Sequence, residues 1–129
     1  MSQPIVLLVD DEAHVSAVLG RRFTSSGFEV VVVGDGREAI EKAQEVRPAL
    51  VVTDYQMPHM DGLETAEQLA QLELTSRTPI IMLTGRDHLV DESRRAKTNI
   101  AQVFQKPFSV REIVDVAREL IESRSENAA

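Results

Sequence analysis

The chain contains no cysteine, which excludes disulfide bonds and thiolate metal sites and fits a reducing compartment. It also has no excess of positive charge. The formal net charge of −7 at pH 7 argues against nonspecific binding to nucleic acids or to anionic membranes. No apolar segment approaches transmembrane length, and the apolar run near the N-terminus is too short for a signal peptide. We therefore expect a soluble, cytoplasmic protein.

The apolar content of the chain is sufficient for one hydrophobic core. Of the 129 residues, 43% are hydrophobic and 27% are charged, which is typical of a globular protein rather than a disordered one. This length is enough for one domain and too short for two. We predict a single domain over residues 1–129, with its core at 5–121 and a frayed tail at 122–129.

Short apolar runs alternate with amphipathic runs along the chain. The apolar runs predict five strands, at residues 5–9, 28–33, 49–53, 80–83 and 101–105. Helical stripes predict helices over 13–24 and 88–97, and helices that begin at the capping residues Asp35, Asp61 and Ser109. In the helix over 88–97 the basic residues, among them Arg94, are interpreted as a solvated face.

Five strand–helix units in succession predict an α/β fold with a doubly wound, mainly parallel sheet of five strands. Two strand orders are common in such sheets. The flavodoxin-like (βα)5 order, 2-1-3-4-5, is the one that we predict. In that order the second strand lies at the edge, and the other four strands are adjacent to one another.

Polar residues follow four of the five predicted strands. Asp10 and Asp11 follow the first, Asp54 the third, Thr84 the fourth and Lys106 the fifth. The second strand is followed by no reactive side chain. In the order 2-1-3-4-5 these residues converge at one edge of the sheet, where doubly wound proteins bind their ligands.

Three carboxylates in one place repel one another, and a divalent cation relieves this repulsion. Oxygen ligands without histidine or cysteine suit Mg²⁺. A magnesium site beside a lysine and a hydroxyl group indicates phosphoryl transfer, in which the charge on the phosphoryl oxygens must be neutralised. Asp54 would then be the nucleophile and would form an acyl phosphate. Mg²⁺, Lys106 and Thr84 would contact the phosphoryl oxygens.

Four motifs together resemble the receiver domain of two-component response regulators, of the chemotaxis receiver type. The resemblance covers residues 5 to about 121, and the motifs are Asp10-Asp11-Glu12, VTDYQMPHMDG at 52–62, Thr84-Gly85 and Lys106-Pro107-Phe108. It implies that Asp54 accepts a phosphoryl group from a histidine kinase or a phosphotransfer protein. It also implies a signalling protein that assists its own phosphorylation and dephosphorylation, rather than an enzyme.

The resemblance also implies the ligands of Mg²⁺. Asp11 and Asp54 would bind the ion together with the backbone carbonyl of Gln56, and Asp10 would assist through water. In the family, the positions of Gln56 and Arg86 flank the site and tune dephosphorylation.

The same resemblance implies a switch. Lys106 would contact the phosphoryl group after a cis Lys106–Pro107 bond, a bond type essentially limited to proline. Thr84 would move toward the phosphoryl group and repack the face formed by helix four, strand five and helix five. Family members usually carry an aromatic residue three positions before the lysine. Here that residue is Val103, and Phe104 is expected to face the opposite side of the sheet.

The implied partners are the phosphodonor protein and either a separate effector protein or a fused output domain. We expect no direct contact with nucleic acid or membrane, and a monomer or a weak homodimer through helix four, strand five and helix five. The tail fits either the end of a stand-alone regulator or a cut linker to a longer chain.

Two other functions are compatible with parts of the sequence. A receiver-like interaction module that signals without phosphate would retain the fold, but the complete acidic pocket argues against it. A Mg²⁺-dependent phosphatase or transferase with an aspartyl intermediate commonly has a second Asp two residues after the nucleophile, and Gln56 stands there instead.

A nucleotide-binding protein of similar topology is also disfavoured, because no glycine-rich loop follows the first strand.

Overall fold

The computed structural model describes residues 3–85 and 90–128, with side chains described up to residue 124. Strands and helices alternate along the chain. The strands are β1 (Ile5–Val9), β2 (Glu29–Val33), β3 (Leu50–Asp54), β4 (Ile80–Thr84) and β5 (Ile100–Gln105). The α-helices are α1 (Ala13–Ser25), α2 (Gly36–Val46), α3 (Gly62–Gln71), α4 (Glu92–Arg95) and α5 (Val110–Ala128), with a 3₁₀ turn at Glu73–Thr75. Within these described ranges, no helix combines the length and apolar character needed to cross a bilayer.

The sheet is entirely parallel, and its order is β2-β1-β3-β4-β5, as predicted. Every residue of β3 and β4 is buried, because helices cover both faces of the central strands. The pairing sets the ends of the strands side by side, since Val9 is opposite Thr53 and Asp54 is opposite Leu83. This register places the residues that directly follow the strands close together, at one edge of the sheet.

Two hydrophobic cores lie on opposite faces of the sheet. Because neighbouring residues of a strand point to opposite faces, Leu7 belongs to one core and Leu8 to the other. The first core contains side chains of α2 and α3, among them Ala39, Ala43, Leu63, Ala66 and Leu69. The second contains side chains of α1 and α5, among them Leu19, Phe23, Ile113, Val114 and Ala117.

The same alternation continues in β5. Val103 packs against the core of α2 and α3, whereas Phe104 packs against the core of α1 and α5. The prediction that these two side chains face opposite sides of the sheet is therefore confirmed. The position at which the resemblance leads us to expect an aromatic residue holds a partly buried valine.

Three helices begin at the predicted caps. The Asp35 carboxylate accepts a hydrogen bond from the Glu38 N–H at 2.8 Å. Asp61 and Glu64 form a reciprocal capping box, and Ser109 accepts from the backbone N–H three residues later at 3.2 Å. The caps fix where α2, α3 and α5 start relative to the strands before them.

The predicted helix over 88–97 is wrong in its extent. Residues 86–89, which include Arg86, lie outside the described residues, and the helix that follows spans Glu92–Arg95 alone. Its start is set by Asp91, whose carboxylate accepts hydrogen bonds from the N–H groups of Ser93 and Arg94. An Asp that caps a helix prevents the helical pattern from continuing through it.

Arg94 is also not merely part of a solvated face. Its Nε and Nη2 atoms donate to the two carboxylate oxygens of Glu67 on α3, at 2.9 Å and 2.5 Å. These hydrogen bonds hold the pKa of Glu67 below its ordinary value. The paired geometry fixes α4 against α3.

Helix α5 extends past residue 121, the predicted limit of the core, and ends at Ala128. Neither glycine nor proline follows Ile121, so nothing in the sequence ends the helix there.

Candidate functional site

Three carboxylates meet at the carboxyl end of the sheet. Asp10 directly follows β1, Asp54 is the last residue of β3, and Glu12 precedes α1. One carboxylate oxygen from each lies within 4.8 Å of those of the other two. Asp10 and Asp54 are buried, with 6% and 3% of their surface exposed, whereas Glu12 is exposed. The fold has thus placed two acidic side chains where water solvates them poorly.

The backbone holds Asp10 in a fixed orientation. Its N–H donates to the carbonyl of Val33 at 3.2 Å, and its Oδ1 accepts from the N–H of Glu12 at 2.8 Å. Its Oδ2 is buried and has no hydrogen-bond partner among the described residues. A buried anionic oxygen without a partner is costly, and a bound cation would satisfy it. The donor set, made of carboxylates alone, fits a hard divalent cation.

Backbone contacts on both sides hold the segment that carries Asp54. The N–H of Tyr55, which is half-buried, donates to the carbonyl of Leu83 at 2.7 Å. The N–H of Gly62 donates to the carbonyl of Tyr55 at 2.8 Å, which folds the start of α3 back over the end of β3. Gly62 lies so close that a Cβ atom there would overlap the Asp54 carbonyl oxygen.

Lys106 provides the positive charge of the site. Its N–H donates to the carbonyl of Thr84 at 2.8 Å, which continues the pairing of β5 with β4. Its Nζ lies 3.1 Å from Oδ1 of Asp54 and 3.6 Å from Oε1 of Glu12. The contact with Oδ1 of Asp54 has the distance of a close ion pair. The predicted cis bond between Lys106 and Pro107 is confirmed.

The pKa values of the site residues indicate that the carboxylates favour binding a proton or a cation. Burial raises the pKa of Asp10 from 3.8 to about 6, and the nearby charge of Asp54 adds to this rise. Burial likewise raises the pKa of Asp54, although the Lys106 ammonium opposes the shift. For Lys106, burial alone would lower the pKa, but attraction to Asp54 and Glu12 outweighs it and the pKa is raised. The lysine therefore stays protonated at neutral pH, and the carboxylates resist full ionisation.

The structure brings some of the predicted residues closer together than others. A carboxylate oxygen of Asp10 lies within 4.8 Å of one of Asp54, and Oδ1 of Asp54 lies 3.1 Å from the Nζ of Lys106. Thr84, the last residue of β4, is buried, and its hydroxyl donates to the carbonyl of Gly85 at 3.1 Å. Asp11 is exposed and its carboxylate is outside the cluster, although its charge is near enough to raise the pKa of Asp54.

Sequence reasoning assigned no role to Glu12, whose carboxylate is part of the cluster. One signal in the sequence points to it. Glu12 stands at the start of α1, where Ser, Thr, Asp or Asn would cap the helix better. A poor cap at that position is consistent with a side chain that is used elsewhere.

The family model of the response regulator receiver domain matches residues 6–118. The chain belongs to this family. The match covers β2 to β5 in full, all of β1 except Ile5, and four complete helices, together with the acidic cluster and Lys106. The chain is thus a receiver domain of two-component response regulators, as the sequence motifs indicated. Its cluster of Asp10, Glu12 and Asp54 is consistent with a phosphoacceptor site.

Curated relatives of this receiver domain are longer proteins. It is 38% identical over 124 residues to the alkaline phosphatase synthesis transcriptional regulatory protein PhoP of Bacillus subtilis (strain 168), covering 96% of this chain and 50% of that protein. It is 34% identical over 128 residues to the transcriptional regulatory protein PrrA of Mycobacterium leprae, covering 99% and 54%. The chain spans about half the length of these relatives.

Solved structures share its fold. The chemotaxis protein CheY4 of Vibrio cholerae matches with a TM-score of 0.83 and 26% identity, covering 92% of this chain and 99% of that one. The receiver domain of a sensor histidine kinase of Pseudomonas aeruginosa PAO1 matches with a TM-score of 0.82 and 26% identity, covering 95% and 99%. That structure has a magnesium ion coordinated in its active-site cleft. The predicted fold class is confirmed.

Proposed function

We propose that Asp54 of this receiver domain accepts a phosphoryl group from a phosphohistidine of a histidine kinase or a phosphotransfer protein. One observation carries this proposal. The Asp54 carboxylate is buried at the end of a central strand, and its only described cationic neighbour within 4 Å is Lys106, at 3.1 Å. A buried ion pair of this kind contributes little net stability to the fold. The position of the carboxylate at the end of a strand, beside a cation, suits a nucleophile instead.

The proposed reaction transfers one phosphoryl group. A carboxylate oxygen of Asp54 attacks the phosphorus, the P–N bond of the phosphohistidine breaks, and its electron pair remains on the imidazole nitrogen, which takes up a proton. Asp54 becomes an acyl phosphate. The Lys106 ammonium neutralises one phosphoryl oxygen, and the Thr84 hydroxyl, at the same edge of the sheet, donates to another.

Magnesium is the proposed cofactor. Asp10, Asp11, Asp54 and the backbone carbonyl of Gln56 would hold the ion, and the unpartnered buried Oδ2 of Asp10 supports a cation at this place. When bound, Mg²⁺ would add positive charge beside the phosphoryl oxygens, in addition to the charge of Lys106.

We further propose that phosphorylation of Asp54 changes a partner-binding face formed by α4, β5 and α5. The output would be a separate effector or a fused domain. The names of the curated relatives PhoP and PrrA, which are transcriptional regulatory proteins about twice as long, support the second case. Because Val103 replaces the usual aromatic residue, the change would reach this face without rotation of an aromatic ring at that position.

The test is the intact mass of the protein after incubation with Mg²⁺ and acetyl phosphate and a quench in acid. The wild type is expected to gain one phosphoryl group only when Mg²⁺ is present, and Asp54→Asn is expected to gain none. Asp61→Asn is the matched control, because it makes the same change at a nearby residue whose capping role asparagine can fill.

An adduct of equal yield on another residue of Asp54→Asn would refute the assignment. If the wild type gives no adduct, a titration with Mg²⁺ and beryllofluoride, which imitates the phosphoryl group, is monitored by NMR. Silence in both experiments would contradict a phosphate-dependent receiver.

A further inference from the structure

Glu12 stands at the N-terminus of α1 without capping it. Its side chain makes no capping hydrogen bond. Its Oε1 instead lies 3.6 Å from the Nζ of Lys106. Glutamate is not among the residues that cap helices well, so the helix gains little from this choice. The contact with Lys106 gives the side chain a place in the site.

The three charged side chains are layered from the interior to the solvent. Of their side-chain surfaces, 3% is exposed in Asp54, 29% in Lys106 and 59% in Glu12. Lys106 thus contacts one carboxylate below it and one nearer the solvent. Because an oxygen of Glu12 lies within 4.8 Å of one of Asp54, any phosphodonor that reaches Asp54 carries its negative oxygens close to Glu12.

We propose that Glu12 is a specificity-determining residue that screens Asp54 against free anionic phosphodonors. It repels their oxygens, and it pairs with the ammonium of Lys106 that those oxygens would otherwise bind. A protein donor can offset this repulsion with cations of its own surface, which a small phosphodonor lacks. This inference rests on the phosphorylation of Asp54 proposed above.

The expected size of the effect follows from Coulomb's law. One unit charge facing a dianion at about 6 Å, in a medium close to water, slows its approach about fivefold to tenfold. Because the side chain of Glu12 is largely exposed, salt should weaken the effect. A donor with a smaller negative charge should feel it less.

The experiment compares initial rates of adduct formation by intact mass, at low ionic strength and saturating Mg²⁺, with dianionic acetyl phosphate and monoanionic phosphoramidate. Glu12→Gln removes the charge and keeps the shape. Glu41→Gln, at an exposed position on α2, removes the same charge away from the site. Glu12→Asp retains the charge at the site and is the conservative variant.

Glu12→Gln is expected to react with acetyl phosphate about fivefold to tenfold faster than wild type. The gain should be smaller with phosphoramidate, which has less negative charge. It should also be smaller in about 0.5 M salt, where the screening length is about 4 Å. Glu12→Asp, which retains the negative charge, should react with acetyl phosphate at close to the wild-type rate. Equal rates for Glu12→Gln and Glu41→Gln, or equal gains with both donors, would overturn the proposal.

A second readout requires no phosphodonor. The NMR resonance of the Lys106 side-chain ammonium should shift in Glu12→Gln and stay in place in Glu41→Gln, and an unmoved resonance in both would overturn the pairing. Failure of the proposed function is recognisable separately. It would appear as no adduct in any variant, whereas failure of the screening role alone would appear as normal phosphorylation that Glu12 does not affect.

Discussion

Folding disfavours the charged form of the Asp10 side chain. Only 6% of its surface is exposed, its Oδ2 has no hydrogen-bond partner in the described parts of the chain, and burial raises its pKa to about 6. A carboxyl group with a raised pKa binds its proton more tightly in the folded state than in the unfolded state. Raising the pH from about 4 to about 6 therefore removes stability from the folded domain.

Asp10→Asn should therefore stabilise the magnesium-free protein at pH 7. Asparagine keeps an oxygen for the N–H of Glu12 and removes the buried charge. The free energy of unfolding is expected to rise by about 1–3 kcal/mol at pH 7. Near pH 4.5 the gain should be much smaller, because most of the Asp10 carboxyl groups in the folded wild type are then protonated. Urea unfolding at the two pH values measures both quantities.

The matched control for this measurement is Asp115→Asn, which changes an exposed carboxylate of α5. It should leave the free energy of unfolding nearly unchanged at both pH values. The interpretation fails if Asp10→Asn destabilises the magnesium-free protein at pH 7, or if its gain is the same at pH 4.5.

Individual residues differ in how far the sequence reveals their role. Asp54 and Lys106 were found because Asp54 ends β3 and Lys106 directly follows β5, and the carboxyl ends of parallel strands lie at one edge of a sheet. The pair of Arg94 and Glu67 was not found, since it joins side chains 27 residues apart on two helices whose packing the sequence pattern does not fix. The contact of Glu12 with Lys106 was not found either, because it joins the segment after β1 to the segment after β5 and depends on how the two side chains are oriented.

At the scale of elements, the junction of β3 and α3 determines where Asp54 lies. Gly62, the first residue of α3, donates its N–H to Tyr55 and touches the backbone of Asp54. The requirement there is for space, because a methyl group would overlap backbone atoms, which cannot rotate away. Gly34, after β2, gives a comparison at the same end of the sheet, since a methyl group there would meet no atom of the described residues within 4 Å.

Gly62→Ala should displace the segment that carries Asp54. Overpacking of this kind costs about 1–3 kcal/mol of unfolding free energy, and we expect the rate of phosphorylation by acetyl phosphate to fall more than tenfold, since misplacement of a nucleophile by about 1 Å costs about a hundredfold. Urea unfolding and intact mass measure the two effects.

Gly34→Ala is the matched control and should change neither quantity appreciably. Equal behaviour of the two alanine variants would show that the close approach of α3 to β3 does not constrain Asp54.

Elements with strong local signals were predictable. The caps at Asp35, Asp61 and Ser109 and the continuous apolar strands gave the fold, because local hydrogen bonds and burial on both faces leave a clear pattern. The extents of α4 and α5 were not predicted correctly. One turn of α4 is fixed by the cap at Asp91 and by a tertiary ion pair, and the end of α5 carries no stop signal in the sequence.

At the scale of the whole molecule, folding concentrates negative charge at the carboxyl edge of the sheet. The acidic residues there come from segments that are distant in the chain and far apart in its unfolded state. A cation that binds them therefore binds the folded domain in preference, and it stabilises the whole domain by mass action.

Magnesium should accordingly raise the melting temperature of the domain. At a concentration about ten times the dissociation constant, the gain is about 1.4 kcal/mol, which corresponds to roughly 4–8 °C for a domain of this size. Asp11→Ala is expected to weaken magnesium binding and reduce the shift, and the shift should shrink at pH 5, where protonation of Asp10 competes with the ion. The shift in melting temperature is measured by thermal unfolding, monitored by circular dichroism.

Asp115→Ala, which removes an exposed charge on α5, should retain the full magnesium shift. If Asp11→Ala bound magnesium as tightly as the wild type, Asp11 would be excluded from the set of ligands.

The place of Tyr55 has a practical consequence. The chain has one tyrosine and no tryptophan, and that tyrosine directly follows Asp54, is half-buried and is held by the carbonyl of Leu83. Nearly all ultraviolet emission of the native protein must therefore originate one residue from the proposed phosphoacceptor. Because this side chain adjoins the site, we expect ion binding and phosphorylation to change its emission, so that both could be followed in real time without a label.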